Sequence, residues 1–470
     1  MTDKFVKPTS FNEALAQFEN MERELDLPNW QIKGVYVWKL IRMPLFNKFS
    51  MVHSLMQELH PEAKRLQQTR GQLVKEFPGR FMKRNPYRAS REKTDRIIIP
   101  HHRKCWMGKH FLDPISARSW LGESETRSLV LDRTWPLDPV PLAGAPDYGV
   151  MIRLGGIVRR FVRVRFNESD RTRMRSIQQH LSTNLMTDGR PFDEKVLRAV
   201  QEFIGQRSVY RLLYRKTQPK ALYVVVGDGL EAPIAAAQER GIPVAEFQHG
   251  SMDRGHSAYH YRVWEQVPYF ADHLLTWGEA WHRDTALPQH CKLHPVGAPH
   301  IESSMRLAGQ GTVRCDKRLL VLSQGPVAEA LMEAVIQFSR LRPDWETVVR
   351  PHPSESVSSL STHLQSLDSD IGRRIHVDKE SSLAQACSQA SVVFGVSSTS
   401  LVESLLGGCK VVILRLPCSA PYFQPLLDDG EAQAVHSGEE LADCIEALPQ
   451  GSARSYFAEP VEDVCALVES

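Results

Sequence analysis

Ala221-Leu222-Tyr223-Val224-Val225-Val226 is an unbroken apolar run that ends in Gly227-Asp228-Gly229. A helical pattern over 232–240 follows, closed by Gly241. A second run, Pro243-Val244-Ala245-Glu246-Phe247, then ends in Gln248-His249-Gly250-Ser251. Strands that are apolar at nearly every position have both faces covered, and strand–helix–strand at this spacing is the βαβ unit of a parallel sheet. In such sheets ligands gather beyond the carboxyl ends of the strands, so these two loops are where chemistry is expected.

The same grammar extends in both directions. Upstream, Arg96-Ile97-Ile98-Ile99-Pro100 reads as a strand. Downstream, strands are expected at 318–322, 346–350, 392–394 and 410–414, with helices over 327–338, 383–390 and 401–406. The expected fold class is α/β, with two Rossmann-like doubly wound domains facing a cleft and an N-terminal helical extension. The expected boundaries are 1–94 for a helical, basic N-terminal region, 95–310 for the first domain and 311–470 for the second. In the N-terminal region Phe11, Leu15, Phe18 and Met21 fall at helical spacing, while Val35 to Phe46 is densely apolar around Lys39 and Arg42.

Composition removes several classes. The chain has 470 residues, 42% hydrophobic and 24% charged, which excludes collagen-like, coiled-coil and wholly disordered proteins. Its 58 Lys+Arg balance 55 Asp+Glu too closely for a dedicated nucleic-acid binder, so no nucleic-acid partner is expected. Charge is nevertheless uneven: eight arginines lie between Arg153 and Arg175 against Glu168 and Asp170. There Val158, Phe161, Val162, Val164 and Phe166 interleave with Arg159, Arg160, Arg163 and Arg165, which fits a strand with a solvated face as well as a nucleic-acid patch. Eight cysteines without a C-x-x-C pair point to a reduced compartment. No signal-peptide pattern follows Met1, and no apolar run reaches the ~18 residues of a span. The expected location is cytoplasmic or peripheral on the inner face of the cytoplasmic membrane.

Four loops after expected strands carry candidate chemistry. Asp228, between two glycines, is placed to act as a general base or to cap the helix that begins near Glu231. His249, beside the bare backbone of Gly250 and the amide of Gln248, is a rival base or a loop-stabilising histidine. Arg350-Pro351-His352-Pro353 holds a cation and an imidazole on a stiff turn, suited to a phosphate. Gly395-Val396-Ser397-Ser398-Thr399-Ser400 opens a helix with hydroxyls and amides, again suited to phosphate or to plain capping, with Glu403 near enough to meet a sugar hydroxyl. Asp368-Ser369-Asp370 matches a metal-binding D-x-D but sits by a turn, so no metal site is expected. The P-loop and G-x-S-x-G patterns are absent.

Taken in order, strand–His-Gly, Arg-Pro-His-Pro and Ser-Ser-Thr-Ser-x-x-Glu resemble the GT-B enzymes of bacterial capsule and surface polysaccharide synthesis. That group includes polysialyltransferases, Kdo transferases and CDP-glycerol glycerophosphotransferases. Ala271-Asp272-His273-Leu274-Leu275-Thr276-Trp277-Gly278 and His294-Pro295-Val296-Gly297-Ala298-Pro299 resemble the last strands of such an N-terminal half. The resemblance implies a glycosyltransferase with a nucleotide-sugar co-substrate and no other cofactor. It implies donor or phosphate binding by Arg350, His352, Ser397, Ser398, Thr399 and Glu403. Asp228 or His249 would be the base, and Gln248, Gly250 and Glu231 would line the acceptor side. Gly227 stands where polysialyltransferases carry a first acid, which leaves the base open between the two. The implied acceptor is a glycan or lipid-linked chain. The alternatives are a CDP-polyol phosphotransferase, a nucleotide-sugar epimerase, and a non-catalytic glycan- or nucleic-acid-binding protein. A membrane-proximal acceptor also suggests docking on an anionic bilayer, with Val35 to Phe46 as anchors and Lys64, Arg65, Arg70, Lys75, Arg80, Lys83 and Arg84 as attraction.

Overall fold

The computed structural model describes residues 8, 10–53, 81–89, 94–102, 104–107, 110–119, 127–133, 142, 145–181, 191–352, 355, 369–416 and 420–469. The first helix, Phe11–Glu24, starts at Ser10, whose hydroxyl accepts the Glu13 N–H at 3.2 Å. A small hairpin, β1 (Gln31–Ile32) and β2 (Val35–Tyr36), turns through Lys33 and Gly34, both at positive φ. It feeds the helix Val37–His53.

A six-stranded sheet follows. Its strands are β3 (Arg96–Ile99), β6 (Ser128–Val130), β7 (Ala221–Val225), β8 (Val244–Phe247), β9 (His273–Thr276) and β10 (Lys292–Pro295), with a separate hairpin β4 (Cys105–Met107) and β5 (His110–Leu112) between the first two. The order is β10-β9-β8-β7-β3-β6, every neighbouring pair parallel, so strand order reverses at β3 and β7. The second sheet holds β11 (Cys315–Leu322), β12 (Glu346–Arg350), β13 (Ile375–Val377), β14 (Ala390–Gly395), β15 (Lys410–Leu414) and β16 (Gln433–Val435). Its order, β13-β12-β11-β14-β15-β16, is the doubly wound Rossmann order, reversing at β11 and β14. These are the two Rossmann-like units expected, and the two final strands read from 271–278 and 294–299 are β9 and β10.

The arginine-rich stretch is not a strand. Tyr148–Arg159 is a helix, residues 162–167 belong to neither helix nor strand, and Glu168–His180 is a second helix. Phe192–Thr217, the longest helix among the described residues, buries Phe192, Val196, Val200 and Phe203, a 3.6-period stripe.

Val35 to Phe46 do not form a free membrane anchor. Val35, Val37, Trp38 and Phe46 are fully or almost fully buried, and the two cations that looked awkward in a core are paired there. Arg42 donates from Nε to Glu22 Oε1 at 2.7 Å and from Nη1 to the Ser257 carbonyl at 2.5 Å, while Trp38 donates to the same Glu22 oxygen at 2.5 Å. Of the proposed attracting cations, Lys64, Arg65, Arg70, Lys75 and Arg80 lie outside the described residues. Lys83 is exposed, whereas Arg84 binds Asp132 at 2.8 Å.

The chain end returns to the first unit. Val464, Cys465 and Val468 pack with Ile98, Tyr223 and Val225 of the first sheet, and Tyr223 donates to Glu469 at 2.9 Å. Gly278 has no room for a side chain because the backbone of Ser455 and Tyr456 crosses it. Among the described residues no helix is long and apolar enough to cross a membrane.

Candidate functional site

The site grows from the two points where strand order reverses. At the first, β7 is followed by Val226, a β-branched residue at φ 65°, a conformation such side chains adopt only when the surroundings impose it. Gly227 comes next, and its N–H donates to Glu246 Oε1 of β8 at 2.8 Å; a Cβ there would run into that carboxylate. Tyr259 donates to the same oxygen at 2.7 Å, and burial pushes the Glu246 carboxyl above the usual range. Asp228 therefore rides on a loop bolted to the neighbouring strand, half-buried, with Glu231 and Lys39 beside it.

Glu231 is less a cleft group than a foundation. It is buried on the first turn of the helix Glu231–Gln238, 3.9 Å from Lys39 Nζ, and burial moves its carboxyl up to about 7, with Lys39 opposing and Asp228 adding to the rise. Lys39 comes from the N-terminal helix. Burial pulls its ammonium down, but Tyr261, Glu231 and Asp228 outweigh this and hold it above its ordinary value.

At the end of β8 the roles divide between adjacent residues. Gln248 is fully buried: its amide donates to the Gly250 carbonyl at 2.8 Å and its oxygen accepts the Trp277 N–H at 2.7 Å. It clamps the loop to the end of β9, so the expectation that it lines the acceptor side is corrected. His249 is half-buried, its ring 5.7 Å from that of His101, which in turn lies 4.1 Å from His102. His101 follows β3, and its N–H is fixed by Asp113 Oδ2 at 3.0 Å. Three imidazoles thus gather at the reversal of the first sheet.

The second reversal faces the first. Ser397, after β14, donates both its N–H (3.0 Å) and its hydroxyl (2.9 Å) to Gln324 Oε1, which follows β11. Ser398 accepts the Ser400 N–H at 3.3 Å, so it closes its own turn, and the helix Ser400–Leu406 is only two turns long. Capping therefore accounts for part of the hydroxyl run. Thr399 is placed differently: a Cβ built on Gly250 would lie 3.5 Å from its Oγ1. The His249-Gly250 loop and the Ser398-Thr399 loop meet tip to tip across the cleft. Glu403 is half-buried one turn on.

Arg350 and His352 are each held by neighbours within the second unit. The Arg350 guanidinium donates from Nη1 to the Ser381 carbonyl at 2.5 Å and lies 3.3 Å from Asp378, so this end of it braces the exit of β13. The His352 backbone N–H donates to Glu355 at 2.6 Å, whose other oxygen takes the Ser323 hydroxyl at 2.8 Å. This pins the loop and leaves the half-buried ring at the strand end as expected.

Several residues escaped the sequence reading. His101, Ser323, Gln324 and Arg415 all follow strands the sequence revealed, so the rule that found His249 would have found them. Arg415 feels Asp253 and Arg254 from the other unit, and burial lowers its guanidinium. Lys39 had no such signal, being nearly two hundred residues from Asp228 in the chain.

The units are also joined beside this cleft. Asp253 accepts N–H groups from Gly255 (3.0 Å) and Phe423 (3.4 Å) and the Ser251 hydroxyl (2.8 Å), and Gly255 is wedged against Tyr422 and Ala420. Among the described residues no group of three or more His, Cys, Asp or Glu is arranged to hold a metal.

No protein-family model matches the sequence, and no curated protein matches it. Solved structures with a similar chain path include UDP-GlcNAc 2-epimerase of Methanocaldococcus jannaschii in complex with UDP-GlcNAc and UDP, at 12% identity over 80% of this chain and 98% of that one, with a TM-score of 0.45. MurG of Acinetobacter baumannii matches at 14% identity over 53% and 70%, with a TM-score of 0.37. A UDP-glucosyltransferase from Polygonum tinctorium matches at 13% over 77% and 90%, with a TM-score of 0.40. The architecture itself rests on the two sheets and their order.

Proposed function

We propose that the protein is a glycosyltransferase that moves a sugar from a nucleotide-activated donor to a growing bacterial surface polysaccharide, on the cytoplasmic side of the membrane. The donor would sit on the second unit and the glycan or lipid-linked acceptor on the first. The observation that carries this reading is the approach of Gly250 to Thr399. Groups held at the two strand-order reversals come within reach of one another there. Transfer needs a base for the acceptor hydroxyl and donors for the departing nucleotide phosphate. His249, beside Gly250, is the base in this reading and Asp228 its rival. Ser398, Thr399, His352 and Arg415 face the phosphate, Glu403 meets a sugar hydroxyl, and no cofactor beyond the nucleotide sugar is invoked.

The test is thermal unfolding with CMP, CDP, UDP, GDP and their sugars. One nucleotide should stabilise the protein, by about 2.7 kcal/mol at a hundredfold excess over Kd. His352→Ala should lose that stabilisation while unfolding normally without ligand. No stabilisation by any of the panel would overturn the reading.

The bridge through Asp253, Gly255 and Phe423 favours one second reading, a nucleotide-sugar epimerase, because it closes one side of the cleft as suits an enzyme that encloses its donor. Incubation with the stabilising nucleotide sugar alone separates the two. An epimer formed without acceptor identifies the second reading, and an unchanged sugar leaves transfer.

A further inference from the structure

We propose that the helix Tyr148–Arg159 and the segment after it form a docking face for an anionic lipid surface. A helix that packs by one side normally turns polar residues outward. The inner side of this one is fixed by two close approaches: Gly155 meets Gln206, and Gly205 meets the Gly155 carbonyl and Arg159. What remains outside is apolar and cationic. Ile152 is 37% exposed, Ile157 47% and Phe161 80%, and Arg160, at the end of the helix, is exposed with them. No acid occurs between Tyr148 and Asn167.

The same character continues past the helix. Val162, Val164 and Phe166 are half-buried, the last two against the N-terminal core, while Arg163 and Arg165 alternate outward. Nearby acids are already engaged elsewhere: Glu202 takes Arg159 and Arg198, and Glu168 takes Arg175. Arg160, Arg163 and Arg165 pair with no carboxylate among the described residues. Leu212, 48% exposed, lies two turns beyond Gly205 on the partner helix, between Arg215 and an Arg211 that pairs with Glu239.

The chemistry selects the occupant. Protruding aromatic and aliphatic side chains beside Arg160, Arg163 and Arg165 match an interface that is apolar below and anionic above. A second copy would bring arginine against arginine, and a few isolated apolar side chains fall far short of the roughly 800 Å² per partner that a stable dimer buries. Single-stranded nucleic acid wants a row of stacking rings, and only Phe161 stands free here. This inference does not depend on sugar transfer.

Sedimentation of the full chain with vesicles tests it, using phosphatidylcholine alone and phosphatidylcholine with about a third phosphatidylglycerol. Binding is expected only to the anionic vesicles and should weaken with salt. Replacing Arg160, Arg163 and Arg165 together by Gln should lower partitioning about a hundredfold, roughly fivefold per cation. The pair Ile157→Ser and Phe161→Ser should weaken binding while leaving its salt dependence unchanged. All these side chains are exposed, so the thermal transition should stay at the wild-type temperature. Equal binding to both vesicles, binding to neither, or unchanged binding by the Gln variant would overturn the proposal. So would a self-association or RNA affinity that the same substitutions abolish in place of vesicle binding.

Discussion

Gly227 shows how much one missing methyl controls. Its N–H and its lack of a Cβ let the Glu246 carboxylate lie against the loop that carries Asp228. Gly227→Ala should displace that carboxylate from two hydrogen bonds in a fully buried site and destabilise the fold by about 2–3 kcal/mol, measured by denaturant unfolding. The base is decided by a paired comparison. His249→Ala should cut turnover about 10²-fold or more with little change in nucleotide affinity, while Asp228→Asn retains activity. The reverse result would move the base to Asp228, and unaffected turnover in both would remove both. Asp228 and His249 were legible in the sequence because each follows an evident strand; the partners of Gln248 and Arg350 were not, because sequence shows a polar group at a loop but not what its other end already holds.

Among the elements, the N-terminal helices behave as part of the first unit. Glu22 is fully buried and gathers Trp38, Arg42 and, at 3.4 Å, Trp264, so three segments are tied at one carboxylate. Removing one partner of a buried pair leaves an uncompensated charge, so Arg42→Met should cost about 3–5 kcal/mol. The double substitution Glu22→Gln with Arg42→Met should recover part of that loss in the same unfolding measurement. The apolar density of Val35 to Phe46 could be read from the sequence. Its destination could not, because a cation inside an apolar helix looks like an interfacial device until its partner, about twenty residues earlier, is seen to fold back onto it. The three-residue strands β6, β13 and β16 were missed for a related reason: a run so short carries no periodicity, and only its neighbours in the sheet make it a strand.

At the largest scale, the junction between units holds a buried carboxyl, Asp253. Burial, helped by Asp284, moves the Asp253 carboxyl from 3.8 up to about 7, against the hydrogen bonds from Ser251, Phe423 and Gly255. A folded-state value above the unfolded one means that the native state keeps a proton the unfolded chain has lost. The stabilisation is whole below about pH 4 and disappears as pH rises toward 7. Asp253→Asn should therefore remove a pH dependence on the order of 1–4 kcal/mol, seen as wild-type unfolding temperatures falling between about pH 4 and 7 relative to the variant. Unfolding curves for the two that run parallel across this range would show that Asp253 is not the titrating group.

The sequence by itself determined the class of fold and the addresses of the candidate chemistry. Continuous apolar runs at βαβ spacing admit little but a covered parallel sheet, and in such a sheet the loops after strands share one edge. It also carried Asp228, His249, His352 and Thr399 to that edge. The tertiary structure decided which of those loops confront each other, that Gly250 meets Thr399, that Lys39 lies beneath Asp228, and that the chain end returns to brace Gly278. The physical reason is range. Strand and helix patterns are set by neighbours within a few residues, whereas the pairing of Lys39 with Glu231 or the facing of two loops is set by contacts far apart along the chain. Those contacts exist only once both sheets have been built.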